Sequence, residues 1–326
     1  MKAILIKSDS SGDLVWGDAP SPTAGPTDVV VDVHATAVNR ADLLQRRGFY
    51  PPPPGESEIL GLEAAGVVAA VGAAVTSARV GDRVCCLLGG GGYAEQIAVP
   101  EAMLLPIPSG LDFVQAAAIP EAFYTAFVNL VLEAGLAKGE RVLIHAGASG
   151  VGTAAIQLVH ARGATAFVTA GSDDKIERCR ALGATAGINY KRENFAARIA
   201  ALTEGKGVDI ILDCIGGSYL EGNIGSLRSQ GRLVIIGLMG GTKADLNLGP
   251  LVARRLRVIG SVLRSRSLAE KVAITAAFRA EVLPLFASGG LKPIVDVRYP
   301  IAEAATAHDY VAANKNFGKV VLSVRD

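Results

Sequence analysis

Cysteine is scarce in this chain of 326 residues. Cys85, Cys86, Cys179 and Cys214 form no C-x-x-C pair and stand in no extracellular context, so a disulfide framework is excluded and reduced thiols are expected. A surplus of charge is also missing: 32 Lys plus Arg against 31 Asp plus Glu leave a formal net charge of +1. That balance makes no electrostatic case for nucleic acid or an anionic membrane. The densest basic cluster, Arg254, Arg255 and Arg257, reads as a solvated or phosphate-adjacent face. No apolar run suits a membrane span, since the longest small-apolar stretch, Leu60 to Val75, contains Glu63, Gly66 and Gly72. Met1 to Ile6 is too short for a signal peptide and reads as a first strand, so a soluble cytosolic protein is expected. Neither internal repeats nor low-complexity segments suggest an array. What is abundant is apolar side chain: at 50% hydrophobic, the chain can bury a large core in about two domains.

The most informative segment is Arg-Val-Leu-Ile-His-Ala-Gly-Ala-Ser-Gly-Val-Gly, residues 141 to 152. Val142, Leu143 and Ile144 suit a buried parallel strand, and Thr153 to Arg162 reads as a helix. Gly147, Gly150 and Gly152 between them lack the Cβ that blocks tight turning. The free N–H groups and positive dipole end of such a helix face a bound diphosphate. The match to G-x-G-x-x-G is imperfect, with Ser149 at the middle position, and a tightly packed turn without ligand is the competing reading. Context decides for dinucleotide binding. The strand-like runs Ala164 to Ala170, Val208 to Asp213 and Arg232 to Ile236 alternate with the helix-like segments Asp173 to Leu182 and Asn194 to Thr203. Repeated βαβ units predict a doubly wound parallel sheet, with ligand beyond the carboxyl ends of its strands.

The first 120 residues read differently. Short runs at Asp28 to Ala37, Ala64 to Val71, Arg83 to Leu87 and Ala94 to Val99, divided by Pro and Gly, predict a compact β-rich domain. Within it Gly48-Phe49-Tyr50-Pro51-Pro52-Pro53-Pro54-Gly55 forms a stiff extended loop, either a rigid connector or a lip that places Tyr50. After residue 262 the nucleotide pattern stops. A helix over Ser267 to Phe286, a strand at Ile294 to Tyr299, a helix over Ala302 to Ala313 and a strand at Lys319 to Val324 either extend the parallel sheet or return to the first domain.

The end of the second nucleotide-domain strand bears on the cofactor. Binders of NAD usually carry an acid there for the ribose 2′-hydroxyl, whereas Ala170 is followed by Gly171, Ser172, Asp173, Asp174 and Lys175. Ser172 and Lys175 can hold a 2′-phosphate, and Asp173 and Asp174 suit the first turn of a helix; ordinary capping and surface charge are the alternative.

Together these residues resemble a family, the medium-chain dehydrogenase/reductases, and within it the zinc-free quinone oxidoreductases. The resemblance rests on Val38-Asn39-Arg40-Ala41-Asp42, the Tyr50 loop, Gly61-Leu62-Glu63-Ala64-Ala65-Gly66 and Ala118-Ile119-Pro120-Glu121. It continues through the His145 to Gly152 turn, Asp213-Cys214-Ile215-Gly216-Gly217, Leu238-Met239-Gly240-Gly241, Leu263-Arg264-Ser265-Arg266 and Asn314-Lys315-Asn316-Phe317-Gly318-Lys319. Gly216-Gly217-Ser218-Tyr219 brings it near the tumour-suppressor-inducible quinone oxidoreductase branch. The resemblance implies an α/β fold: a Rossmann domain over 122–262 and a GroES-like catalytic domain over 1–121 that the chain re-enters at 263–326. It implies a homodimer paired through edge strands near Val258 to Leu263. It also implies NADPH held by Ser172, Lys175 and Tyr190, with Thr125 at the nicotinamide and Asn316 contributed by the tail. Gly147, Ser149, Gly150 and Val151 then meet the diphosphate, and Ile215, Leu238 and Met239 line the ribose and nicotinamide side unless they belong to the core.

Departures from the zinc alcohol dehydrogenases of the same superfamily constrain the chemistry. Their catalytic Cys is replaced by Asn39, their Gly-His-Glu by Gly61-Leu62-Glu63, and their four-cysteine structural lobe by the short Gly89 to Gly92 turn. Neither Asn nor Leu replaces those ligands, so no metal is expected, and Glu63 is left with an open role. A quinone spreads incoming charge through its ring and becomes aromatic on reduction, so it accepts electrons from a nicotinamide without a Lewis acid. Tyr50 can hydrogen-bond a carbonyl oxygen, and Asn39 can orient cofactor or substrate. His34, His160 and His308 read as structural, His145 as packed under the turn, and Cys214 as a buried thiol. The expected activity is NADPH-dependent reduction of a small quinone or conjugated carbonyl. Its rivals are a 2-enal or enoyl-thioester reductase using Tyr50 as proton donor, and a non-enzymatic NADPH-binding module.

Overall fold

The computed structural model describes residues 1–7 and 12–325. The chain forms two compact units, Met1–Tyr124 with Leu263–Asp326, and Thr125–Val262. The first unit opens with β1 (Lys2–Ile6) and β2 (Leu14–Asp18), which pair antiparallel, and continues with β3 (Asp28–Val38), β4 (Glu63–Val71), β5 (Arg83–Leu87), β6 (Gln96–Pro100) and β7 (Leu104–Pro106). Helices α1 (Arg40–Arg46) and α2 (Phe113–Ala117) accompany them, and α3 (Pro120–Phe127) begins in this unit and runs on into the residues of the second.

In the second unit β8 (Arg141–Ile144), β9 (Thr165–Ala170), β10 (Ala184–Asn189), β11 (Val208–Asp213), β12 (Leu227–Ile235) and β13 (Arg257–Gly260) alternate with α4 (Gly150–Ala161), α5 (Asp173–Ala181), α6 (Phe195–Leu202), α7 (Leu220–Ser226) and α8 (Leu248–Ala253). The sheet is parallel throughout, in the order β10-β9-β8-β11-β12-β13. Winding therefore reverses at β8, the strand that feeds the glycine turn. Every residue of β11 is buried, as a central parallel strand covered on both faces requires. Leu143, Phe167, Ile188, Ile211 and Leu233 close the core against Phe195, Ile199 and Ile224. At the far edge β13 exposes Val258 (41%).

The tail contributes α9 (Leu268–Glu281), α10 (Leu283–Ala287), β14 (Val295–Pro300), α11 (Ala304–Ala312) and β15 (Lys319–Ser323). It returns to the first unit: β15 pairs antiparallel with β3, Val320 opposite Val38 and Leu322 opposite Thr36, giving the order β14-β15-β3-β4-β5-β7.

The structure departs from the sequence reading at several local points. The single helix over Ser267 to Phe286 is two, because Pro284 has no N–H to donate and in a continuous helix its ring would collide with the carbonyl of Ala280. The strand expected at Arg232 starts earlier, at Leu227, with an irregular register against β11 and Gln230 at positive φ. The small-residue run Ala184–Asn189, passed over in the sequence, is a strand because β9 supplies its ladder. Arg254 is also no free basic face. Its guanidinium bonds the carbonyls of Ile224 (2.7 Å) and Leu227 (2.5 Å), closing the end of α7.

Candidate functional site

In the second unit, the turn after β8 is built by close backbone approach. Ala146 takes a positive φ of 53°, and the Gly147 N–H bonds the Thr169 carbonyl at 2.9 Å. A Cβ on Gly147 would lie 2.7 Å from Cβ of Val168, and one on Gly152 only 2.4 Å from the Ala146 carbonyl oxygen. Ser149 is the N-cap of α4; its Oγ accepts from the Gly152 N–H at 2.9 Å. The N–H groups of Gly150 and Val151 have no partner among the described residues and stand at the positive end of a helix of 12 residues. Such donors fit a dinucleotide diphosphate.

Beneath the turn runs a chain of buried hydrogen bonds that sequence reading did not find. The Asp213 carboxylate accepts from the N–H groups of Ile215 (2.7 Å) and Gly216 (3.1 Å) and from Asn223 Nδ2 (3.1 Å). Asn223 therefore turns its Oδ1 to His145 Nε2 at 2.7 Å, so that nitrogen carries the proton. Burial holds the imidazole down to about 4, and the neutral ring's Nδ1 accepts from Thr169 Oγ1 at 3.1 Å. Thr169 Oγ1 in turn accepts from the Ala146 N–H at 3.2 Å. Burial also pushes Asp213 up to about 6, against the pull of its backbone donors. His145 thus lies under the turn, tying it to the Ile215–Gly216 loop.

The ends of β9 and β10 gather Ser172 and Tyr190. Ser172 caps α5, with Lys175 one turn in, and the Tyr190 N–H bonds the Ala170 carbonyl at 3.2 Å. The Tyr190 hydroxyl lies 2.8 Å from where a Cβ on Gly171 would stand, beside Ser172. Asp173 is committed elsewhere: its carboxylate takes Asn189 Nδ2 and Arg192 Nη1, each at 2.6 Å. After β12, Leu238 and Met239 are half exposed, and the Gly240 N–H bonds the Ile215 carbonyl at 2.7 Å, joining the loops that carry these three apolar residues. The Thr125 carbonyl accepts Asn129 Nδ2 at 2.8 Å where α3 passes into a π-turn. Asn316, in the first unit, donates its Nδ2 to the Gly318 carbonyl at 2.8 Å.

The first unit encloses a second polar cluster. Because β15 lies along β3, Lys319 reaches Asn39, 280 residues away in sequence. Its ammonium donates to Glu63 Oε1 (2.7 Å), Asn39 Oδ1 (2.6 Å) and the Val38 carbonyl (3.2 Å). Asn39 Nδ2 donates to the same Glu63 oxygen at 2.8 Å, and the Glu121 N–H donates to Glu63 Oε2 at 2.8 Å. Asp42, one turn into α1, is fully buried and pushed up to about 6 by burial; it accepts from the Asn39 N–H (2.7 Å) and the Tyr93 hydroxyl (3.2 Å). Both polar ends of the Asn39 amide are engaged within this cluster. Glu63, left open by the sequence, is the anion that Lys319 neutralises.

This donor set does not fit zinc. The oxygens of Asn39 and Glu63 already hold an ammonium, and Leu62 offers no ligand atom. Tyr50 is held from behind. Arg264 donates to the Tyr50 carbonyl (3.1 Å), the Gly89 carbonyl (2.7 Å) and Gln45 Oε1 (2.8 Å), and its guanidinium carbon lies 5.2 Å from the Tyr50 ring centroid. The Tyr50 hydroxyl itself has no partner among the described residues. Lys319 and Arg264 find partners 280 and 219 residues away, too far along the chain for sequence spacing to reveal.

A parallel sheet with a phosphate-fitting turn at its switch strand, and an antiparallel unit completed by the returning tail, define a nicotinamide-dependent medium-chain dehydrogenase/reductase. The family profile "Alcohol dehydrogenase GroES-like domain" matches residues 25–109, and "Zinc-binding dehydrogenase" matches residues 150–279. A quinone oxidoreductase of Pseudomonas aeruginosa is 35% identical over 314 residues, covering 95% of each chain. Among solved structures, a quinone oxidoreductase of Pseudomonas syringae pv. Tomato DC3000 superposes with a TM-score of 0.89 at 33% identity, covering 99% of each chain. An NAD-dependent alcohol dehydrogenase reaches the same TM-score of 0.89 at 34% identity, covering 99% of this chain and 100% of that one. The chain belongs to the quinone oxidoreductase-like family of the medium-chain dehydrogenase/reductases. No helix among the described residues is long and apolar enough to cross a membrane.

Proposed function

We propose that the protein reduces quinones and similarly conjugated carbonyls with NADPH, without a metal. The observation that carries this reading is Lys319. Its ammonium fills the place beside Asn39 and Glu63, so the suited acceptors are those that delocalise incoming charge themselves. When bound, NADPH supplies the hydride. The second unit holds it: Gly147, Ser149, Gly150 and Val151 at the diphosphate, Ser172, Lys175 and Tyr190 at the 2′-phosphate, and Thr125, Ile215, Leu238 and Met239 toward the ribose and nicotinamide. In the first unit Tyr50 donates its hydroxyl to an acceptor carbonyl, Asn39 keeps the Glu63–Lys319 pair in register, and Asn316 supplies a cofactor contact from the tail.

The reading of NADPH rather than NADH is supported by Asp173, whose carboxylate is engaged by Asn189 and Arg192 rather than left for a ribose 2′-hydroxyl. One charge-assisted bond is worth roughly 1.5–3 kcal/mol. Lys175→Ala is expected to raise the Kd for NADPH about tenfold or more and leave NADH nearly unchanged in fluorescence titrations; equal losses would overturn the assignment. Steady-state rates with an ortho-quinone and with a 2-enal test the acceptor class, and turnover of the enal alone would favour the rival reductase. We also assign a homodimer paired through β13, whose exposed Val258 lies at the sheet edge. Light scattering should give twice the mass of one chain, and Val258→Lys should give one.

A further inference from the structure

Hydride transfer to a neutral acceptor leaves negative charge on the acceptor's oxygen, and in the first unit only the Tyr50 hydroxyl has been assigned to meet it. We propose that Arg264 is the positioning residue for this step: it fixes Tyr50 and supplies the buried positive charge beside which that oxygen becomes anionic. The inference rests on the quinone-reductase reading and gives a role to a residue which that reading leaves unused.

The side chain of Arg264 is fully placed by its contacts. The residue is 5% exposed, ahead of α9. A guanidinium carries five N–H donors in a rigid fork. Here Nε donates to the Gly89 carbonyl at 2.7 Å, Nη1 to the Tyr50 carbonyl at 3.1 Å and Nη2 to Gln45 Oε1 at 2.8 Å. One side chain thus pins the glycine turn, the proline loop and α1 together. The second N–H on each terminal nitrogen has no partner among the described residues.

The charge is as telling as the bonds. All three partners are uncharged oxygens, and Arg264 forms no ion pair among the described residues; the carboxyls of Asp42, Glu121 and Glu56 act on it only from beyond ion-pair distance. Both buried lysines of the same unit are paired directly, Lys319 with Glu63 at 2.7 Å and Lys271 with Glu56 at 3.1 Å. A cation taken out of water without a counter-ion is costly, and the cost falls when an anion arrives. This cation stands over Tyr50: its central carbon lies 5.2 Å from the ring centroid, and the Tyr50 hydroxyl has no partner among the described residues. A positive charge at a phenol strengthens its hydroxyl as a hydrogen-bond donor. Anchored backbone, polarised ring and free hydroxyl together make a pole suited to an oxyanion.

The balance is as follows. The acceptor gains a hydride, two electrons and one proton, from NADPH, which is oxidised to NADP⁺. An electron pair moves onto the oxygen facing Tyr50, and that oxygen takes its own proton from water. The charge is absent from the bound quinone and present in the transition state, so Arg264 lowers the barrier without tightening the ground state.

Two measurements compare wild type with Arg264→Gln, which keeps neutral donors, and Arg264→Lys, which keeps the charge. The first needs no turnover: binding of 4-nitrophenolate, a delocalised oxyanion like the reduced acceptor, against the neutral ether 4-nitroanisole, with NADP⁺ present. Arg264→Gln should weaken the phenolate about tenfold or more and the ether less than about twofold, while Arg264→Lys should keep the preference for the phenolate. Equal losses of both probes, as a displaced loop would give, overturn the proposal; so does a wild type without preference for the phenolate. If Arg264→Gln fails to fold in a thermal melt, loss of the phenolate preference in a folded Arg264→Lys overturns it and retention supports it. The second measurement is steady-state kinetics with an ortho-quinone and NADPH. Arg264→Gln should lower kcat about tenfold or more with quinone KM within about twofold, and Arg264→Lys should restore most of the rate. Wild-type kcat in Arg264→Gln overturns the proposal and leaves the quinone reading intact. A wild type inert toward every quinone, with an Arg264-dependent preference for the phenolate, would support the oxyanion pole and overturn the acceptor class instead.

Discussion

Lys319→Met is expected to destabilise the first unit by about 3–5 kcal/mol, because it strips the cation from a fully buried carboxylate. Glu63 is 0% exposed and the Lys319 side chain 4%, so water cannot enter cheaply to replace the lost partner. Asn39 Nδ2 and the Glu121 N–H would remain on Glu63, but two neutral donors do not offset a missing full charge. The loss should appear as a marked drop in the urea midpoint of the first unit. The double variant Lys319→Met/Glu63→Gln removes both charges and should recover part of that loss, with a coupling of about 2 kcal/mol or more in the cycle. A coupling below about 0.5 kcal/mol would mean that the pair is incidental, and with it the claim that Lys319 occupies the place a metal would need. Asn39 loses its ammonium donor in the same substitution, so acceptor KM should rise together with the loss of stability.

Gly152→Ala should abolish tight cofactor binding, raising the Kd for NADPH on the order of a hundredfold or more. By intrinsic propensity the change favours a helix by about 1 kcal/mol, so α4 alone would be strengthened. Sterics decide otherwise. The new Cβ would lie 2.4 Å from the Ala146 oxygen and 2.6 Å from both the carbonyl carbon and oxygen of Gly147, all backbone atoms of the turn itself. Relief requires the turn to open, which displaces the Gly150 and Val151 N–H groups from the place where the proposed function has the diphosphate bind, and pulls on the Ala146–Thr169 link above His145. Calorimetric titration with NADPH, paired with a thermal melt, separates lost binding from lost folding. A folded variant that binds like wild type would show that this turn is packing alone.

Much of the nucleotide half was legible in the sequence because its determinants are local. Apolar runs of strand length, glycines at a strand end, and Ser149, Ser172 and Asn194 ahead of helices each act within a few residues, and each is found as an N-cap. Reading failed where a partner elsewhere in the chain supplies the order, as at β10, or where a single residue interrupts a good pattern, as at Pro284. In the candidate site, the turn residues and Tyr50 could be named from type and spacing. Asn39, Glu63 and Lys319 could be named only singly, since nothing in their spacing says that they share one hydrogen-bonded cluster.

What the sequence determined by itself is the alternation of strands and helices, the phosphate-fitting turn, the lack of ligands for a catalytic zinc and the lack of an acid at Ala170–Gly171. Each depends on residue type at one place. Only the tertiary structure decided that the tail returns to β3, that Asp173 is spent on Asn189 and Arg192, and that an ammonium from residue 319 sits on Glu63. The physical reason is range. Backbone conformation answers to neighbours along the chain, whereas buried charge must be satisfied by whatever the fold brings within about 3 Å, and that is settled by sheet register between strands far apart in sequence.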